Sequence, residues 1–136
     1  MNRYRALRAK QQKEVNEFPI LFAFSKKQLL KELKKRKAVK KDLIGVTRGG
    51  YILKKDRDAY VSMMLRHKDE VLKALDDPDC LYDMFRSEME DHGFFISYNL
   101  DDALQDCPVS IKEMSKNPLM QETLKKAEEA HLASCP

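Results

Sequence analysis

The chain has 136 residues, with 26 Lys/Arg against 22 Asp/Glu and a formal charge of +4, a length that suits one domain and not two. A domain of this size buries enough apolar surface to hold together without disulfides or a structural metal, and 4 Gly with 5 Pro exclude collagen-like or low-complexity sequence. The net charge conceals two opposite parts: residues 1–57 carry 18 Lys/Arg against 5 Asp/Glu, whereas residues 58–136 carry 8 against 17.

In chain order, a basic, Gln/Glu-rich stretch predicts a helix over 3–16. It leads into no apolar region, so it does not read as a secretory signal. Phe18 to Phe24 is the longest apolar run; it contains Pro19, is too short to cross a bilayer, and reads as an extended segment. Ser25 with Gln28 forms a capping box that opens a helix over 25–37, with Leu29, Leu30 and Leu33 on one side. Leu43–Thr47 and Tyr51–Leu53 flank Arg48-Gly49-Gly50, a tight β-hairpin by composition. Asp56 starts a helix over 57–75, on which Tyr60, Met64, Val71 and Leu75 form an apolar stripe widened by Val61, Leu65 and Leu72.

Asp77-Pro78 reads as an N-cap followed by Pro at the first helical position. The helix that follows, over 78–91, has the cleanest stripe: Leu81, Met84, Phe85 and Met89. Gly93 stops it, and the aromatic, β-branched run Phe94–Tyr98 is expected to add a third strand, because a two-stranded hairpin alone is marginal in water. Asn99 with Asp102, Ser110 with Glu113, and Asn117-Pro118 open helices over 99–106, 110–116 and 118–133. The fold class is α+β: a helix-rich single domain over 1–136, its last residues frayed, with a small antiparallel sheet of two or three strands packed on helices.

Two charged segments are the main candidates for function. Lys26, Lys27, Lys31, Lys34, Lys35, Lys37 and Lys41 fall in a run of nine Lys/Arg with a single acid, Glu32. A helix carrying them meets a phosphate backbone or an acidic protein surface through counterion release; the plain alternative is a solvated face. Lysine dominates and base-edge reading favours Arg, Asn and Gln, so nucleic-acid binding here would be non-specific. Arg48 and Tyr51 at the hairpin tip add residue types that anchor interfaces. The second segment, 76–106, holds ten acids and one base, Arg86. Asp76, Asp77, Asp79, Asp83 and Glu90 form a candidate acidic face, although acids crowded at a helix start are also explained by the helix dipole.

Signals for catalysis are weak. Glu88, Asp91 and His92 share a helix end at spacings that suit a metal or a proton shuttle, yet no second ligand cluster of known spacing accompanies them. No nucleophile motif, P-loop or zinc signature occurs, so no catalytic residue, metal or cofactor is assigned. His67 reads as a satisfied residue in its helix, and the seven methionines as core filler. Cys80, Cys107 and Cys135 are odd in number and widely spaced, which fits free thiols in a reducing, cytoplasmic setting.

Phe18-Pro19 through Phe22-Ala23-Phe24-Ser25, with Gln28, and again Gly49-Gly50-Tyr51-Ile52, resemble an uncharacterised family of small proteins from Firmicutes and their phages. The resemblance extends through Met89 and His92 to the C-terminal helix. It implies a small, single-domain, cytoplasmic protein carried on mobile elements, and transfers no residue role. By analogy of lifestyle, such proteins bind and disable host machines, including CRISPR nucleases.

The expected function is therefore non-enzymatic binding of a macromolecule through charged faces, in the manner of an anti-CRISPR-like inhibitor of a host nucleic-acid enzyme. The partner is a host protein or a protein–nucleic-acid complex, with direct nucleic-acid contact and a charge-paired homodimer as further outcomes, and no membrane. The alternatives are a non-specific nucleic-acid-binding accessory protein and a metal-dependent enzyme centred on Glu88, Asp91 and His92.

Overall fold

The computed structural model describes residues 2–134, so Cys135 and the expected frayed end lie outside the described residues. The protein is a helix-rich α+β chain, as expected. Its contacts gather into two compact units, Gln12–His67 and Met1–Gln11 with Lys68–Pro136. The elements in chain order are α1 (Arg3–Glu17), β1 (Leu21–Phe22), α2 (Lys26–Lys35), β2 (Leu43–Thr47), β3 (Gly50–Leu53), α3 (Arg57–Ala74), α4 (Pro78–Asp91), α5 (Phe94–Ser97), α6 (Leu100–Ala103), α7 (Ile111–Met114) and α8 (Pro118–Ser134). Helices α1 and α3 each have residues in both units.

The unit Gln12–His67 holds the sheet. Strand order is β1-β3-β2, all antiparallel, with Leu21 opposite Tyr51 and Ile44 opposite Ile52. Thus the third strand is Leu21–Phe22 and not Phe94–Tyr98. The latter begins as the helical turn α5, in which Tyr98 N–H donates to the Phe94 carbonyl at 2.8 Å. Phe94 is buried and meets the Tyr98 ring edge-on at 6.2 Å, an i,i+4 relation that a strand would not allow. The aromatic run follows a left-handed Gly93 and carries no alternation, so composition alone does not separate strand from helix there.

Helix α2 is set by its ends. The Ser25 hydroxyl accepts from Gln28 N–H at 3.2 Å. At the other end Lys37 is left-handed, with Ala38 N–H on the Leu33 carbonyl at 3.0 Å and Lys37 N–H on that of Lys34 at 3.2 Å, a Schellman closure made without glycine. Leu33 is buried and Leu29 half-buried, but Leu30 points outward, because the covered stripe follows the i,i+4 step. The same correction applies to α3. Its buried positions are Met63, His67, Val71 and Leu75 just beyond its end, whereas Val61, Met64, Leu65 and Leu72 are exposed.

In the other unit α4 is the buried centre. Asp77 caps it, accepting from Asp79 N–H at 3.0 Å, and Cys80, Leu81, Met84, Phe85 and Met89 are all buried. Around them stand Tyr4, Leu104, Val109, Met114 and Ala127. Side-chain caps from Asn99, Ser110 and Asn117 start α6, α7 and α8, as their sequence signatures predict. Helices α6 and α7 are single turns, shorter than expected. Among the described residues no helix is long and apolar enough to cross a membrane.

Candidate functional site

The two units keep opposite net charge but divide it less sharply than position along the chain, because Arg3, Arg5, Arg8 and Lys10 fall in the acidic unit. Gln12–His67 carries 15 Lys/Arg and 6 Asp/Glu, a net of +9; the other unit carries 11 and 16, a net of −5. The candidate site is built on the basic unit, from the hairpin and the start of α2.

Along β1 and beyond, side chains alternate: Leu21 and Ala23 are buried, whereas Phe22 is 55% and Phe24 75% exposed. Three local devices hold Phe24 in place. The backbone of Ala23 continues the β1–β3 pairing, its N–H donating to the Gly49 carbonyl at 2.8 Å. The Gln28 side chain turns back and accepts from Phe24 N–H at 2.8 Å, so the capping box closes one residue earlier than the usual Ser25 N–H. The ring itself lies over Gly49, where an added Cβ would stand 2.7 Å from Cδ1 of Phe24. An exposed phenyl ring is thus anchored at its backbone and at one face.

Phe24 separates two open grooves. One, of about 590 Å³, is lined by Lys26, Leu29, Lys40, Arg48, Gly49 and Tyr51. The other, of about 350 Å³, is lined by Phe22, Gln28, Lys31, Glu32 and Lys35. Glu32 is the single acid in either wall, and it is engaged by Arg36 and by Lys35 at 3.5 Å. The Arg36 guanidinium holds its carboxyl below the usual range. A third groove brings Arg36 and Lys37 together with Lys54 and Lys55.

Of the residues predicted for the basic face, the structure gathers Lys26, Lys31, Lys35, Arg48 and Tyr51 around Phe24. Lys27, Lys34 and Lys41 are exposed on the same unit but line none of these grooves. Sequence reasoning missed Phe22, Phe24 and Lys40. The signal was present in the alternation Leu21-Phe22-Ala23-Phe24, in which a small residue and a large aliphatic one occupy the inward positions.

A family model described as "Family of unknown function (DUF7659)" matches residues 3–130. The chain belongs to this family. That agrees with the resemblance to an uncharacterised family, although the description names neither a source organism nor a mobile element. No curated protein and no solved structure matches.

In this family member the acidic segment is largely occupied within its own unit. Arg3 lies 2.8 Å from Asp77 and 3.7 Å from Asp79. Arg5 lies 2.9 Å from Asp91 and 3.3 Å from Glu90. Asp83 accepts from the backbone N–H of Arg3 at 2.8 Å, an anion at the N-terminus of α1. Asp76 is exposed beside Lys73 in an open groove of about 410 Å³.

The proposed set Glu88, Asp91 and His92 does not converge. His92 Nε2 is 3.3 Å from Glu88 and 3.3 Å from Asp106, whereas Asp91 turns to Arg5. Burial raises the Glu88 carboxyl, and burial beside Glu88 pushes the Tyr4 hydroxyl up to about 12. Burial likewise pushes the Cys107 thiol up to about 12, which makes it a poor nucleophile.

In the basic unit, Glu14 on α1 is bonded by Arg66 and lies 3.2 Å from His67 Nε2 on α3. The Arg66 and His67 hydrogen bonds lower its carboxyl from 4.5 to about 2. A depressed carboxyl stabilises the fold fully above the unfolded value and loses that contribution as pH falls through the folded one. Between pH 4.5 and about 2, Tm is therefore expected to fall further in the native protein than in Glu14→Gln. Calorimetric melts at pH 7, 4 and 2.5 check this, with the two proteins converging at the lowest pH.

Proposed function

We propose that this protein is a non-enzymatic binding protein that engages a polyanionic macromolecule through its basic unit. The observation that carries the reading is the pair of basic-walled grooves around an exposed, anchored Phe24, with their single acid already engaged. A free positive face gains from counterion release, whereas exposed ion pairs already made contribute about 0–1 kcal/mol and leave little net field. For that reason the acidic segment supports the binding role less well. An inhibitor that displays its acids as a nucleic-acid mimic must first release Asp77, Asp79, Glu90 and Asp91 from Arg3 and Arg5. A nucleic-acid-associated protein of the cytoplasm, with Cys80 and Cys107 as free thiols, is the form of the reading best supported.

Heparin chromatography tests the charge requirement. The native protein is expected to be retained at low salt, and a Lys34→Glu, Lys35→Glu, Lys37→Glu variant to elute at clearly lower salt. Reversing Asp76 and Asp79 to Lys is expected to leave retention equal or raised. Passage of the native protein through the column unretained at low salt would sink the reading.

A further inference from the structure

The basic grooves leave open which polyanion they fit, and the aromatic ridge between them narrows the choice. Rings as exposed as Phe22 and Phe24 are unfavourable in water unless a partner covers them, and surrounding lysines select a partner that is both anionic and flat-faced. A duplex buries the faces of its bases in the stack and shows a protruding ring only phosphate, sugar and groove edges. An acidic polypeptide supplies charge but no repeated π-face. Unpaired nucleobases supply both, since every base has a face that stacks on an aromatic ring while its phosphate reaches a flanking cation.

We infer that the surface around Phe24, with Tyr51, Lys26, Lys40 and Arg48 in one groove and Phe22 and Lys31 in the other, binds single-stranded nucleic acid, with a base stacked on Phe24 and the backbone running through the two grooves. This rests on the binding role proposed above and deepens it. Phe24 is suited to the part because Gly49 backs one side of its ring and Gln28 fixes its N–H, leaving the outer face presented without further ordering. Arg48, in the same groove as Tyr51, adds a guanidinium that stacks on bases as well as pairing with phosphate. Lysine supplies most of the charge, so recognition is tolerant of sequence.

The chain contains no Trp, which makes Phe24→Trp a reporter unique in the protein. Fluorescence anisotropy with labelled dT20, the matching 20-base-pair duplex and polyglutamate, at 50 and 150 mM salt, measures affinity. Circular dichroism confirms that each variant keeps the native helix content.

Single-stranded dT20 is expected to bind more tightly than duplex or polyglutamate. Phe24→Ala should weaken it by roughly 5- to 150-fold with its salt slope unchanged. Lys26→Gln with Lys40→Gln should instead lower that slope by about 1.4. The emission of Phe24→Trp should be quenched by dT20 and not by polyglutamate.

Equal affinity for duplex, an unaffected Phe24→Ala, or unquenched Trp emission would overturn the single-strand inference while leaving the polyanion role intact. Polyglutamate binding as tight as dT20 would overturn it in favour of an acidic protein surface. If no polyanion binds at 50 mM salt and heparin fails to retain the protein, both readings fall together.

Discussion

Phe85→Ala is expected to remove about 3–5 kcal/mol of stability, the range for deleting a fully buried aromatic side chain. Phe85 has no exposed surface and stands on α4 between Leu81 and Met89, with Met84, Ala103 and Ala127 in the same buried cluster. Truncation removes the transfer term of the ring and leaves a cavity in a cluster that includes Ala103, Met114 and Ala127, from helices α6, α7 and α8 that are each held by a side-chain cap. Little collapse is available there, so the upper half of the range is expected. With a urea slope of about 1–3 kcal/mol/M for a small protein, the unfolding midpoint should drop by about 2 M. Phe85→Leu, which keeps most of the volume, should cost about 1–2 kcal/mol. Far-UV circular dichroism in urea measures both, and a midpoint shift for Phe85→Ala below that of Phe85→Leu would contradict the packing described.

The stripe on which that prediction rests is legible in the sequence. Leu81, Met84, Phe85 and Met89 recur at helical spacing between an Asp77-Pro78 start and a Gly93 stop, so period, cap and terminator agree with one another. Where only one of the three signals is present, sequence pattern and structure part. Helix α3 follows directly on a short 3-10 turn over Lys54–Asp56, and its apolar residues surround much of the helix, so periodicity alone does not choose between Met63 and Met64. Phe94–Tyr98 had composition without alternation. Leu21–Phe22 had alternation, but over too few residues to rank above the longer aromatic run, although it is the segment that pairs with β3.

Charge followed a similar course. The excess of base near the N-terminus and of acid toward the C-terminus was plain in the sequence. The chain, however, returns Arg3 and Arg5 to the acids of α4, so part of the N-terminal charge cancels part of the C-terminal charge within one compact unit. Only pairing across more than 70 residues could reveal that these acids are engaged by arginines near the start of the chain. The same nonlocality hid the candidate site. Phe24 becomes a presented ring only when the hairpin places Gly49 beneath it, and neither residue signals the other in sequence.

That dependence leads to the second large effect, at Gly49. The residue has φ of 74°, and the neighbouring strands β2 and β3 fit a tight turn there. Any L side chain in this left-handed conformation costs roughly 1–2 kcal/mol. A Cβ would in addition meet the Phe24 ring well inside van der Waals contact, at 2.7 Å from Cδ1. The ring is exposed, so it yields by swinging outward rather than by disturbing a core. Gly49→Ala is accordingly expected to lower stability by about 1–2 kcal/mol and to weaken dT20 binding, because the ring loses its backing. Gly49→Val, β-branched at the same φ, should exceed both effects. The contrast with Gly45→Ala discriminates the cause: that position has ordinary φ and only a 4.0 Å contact to Tyr51, so both stability and binding should change little. Equal behaviour of the Gly45 and Gly49 variants would show that the hairpin does not seat Phe24, and with that the rigid aromatic ridge would lose its structural basis.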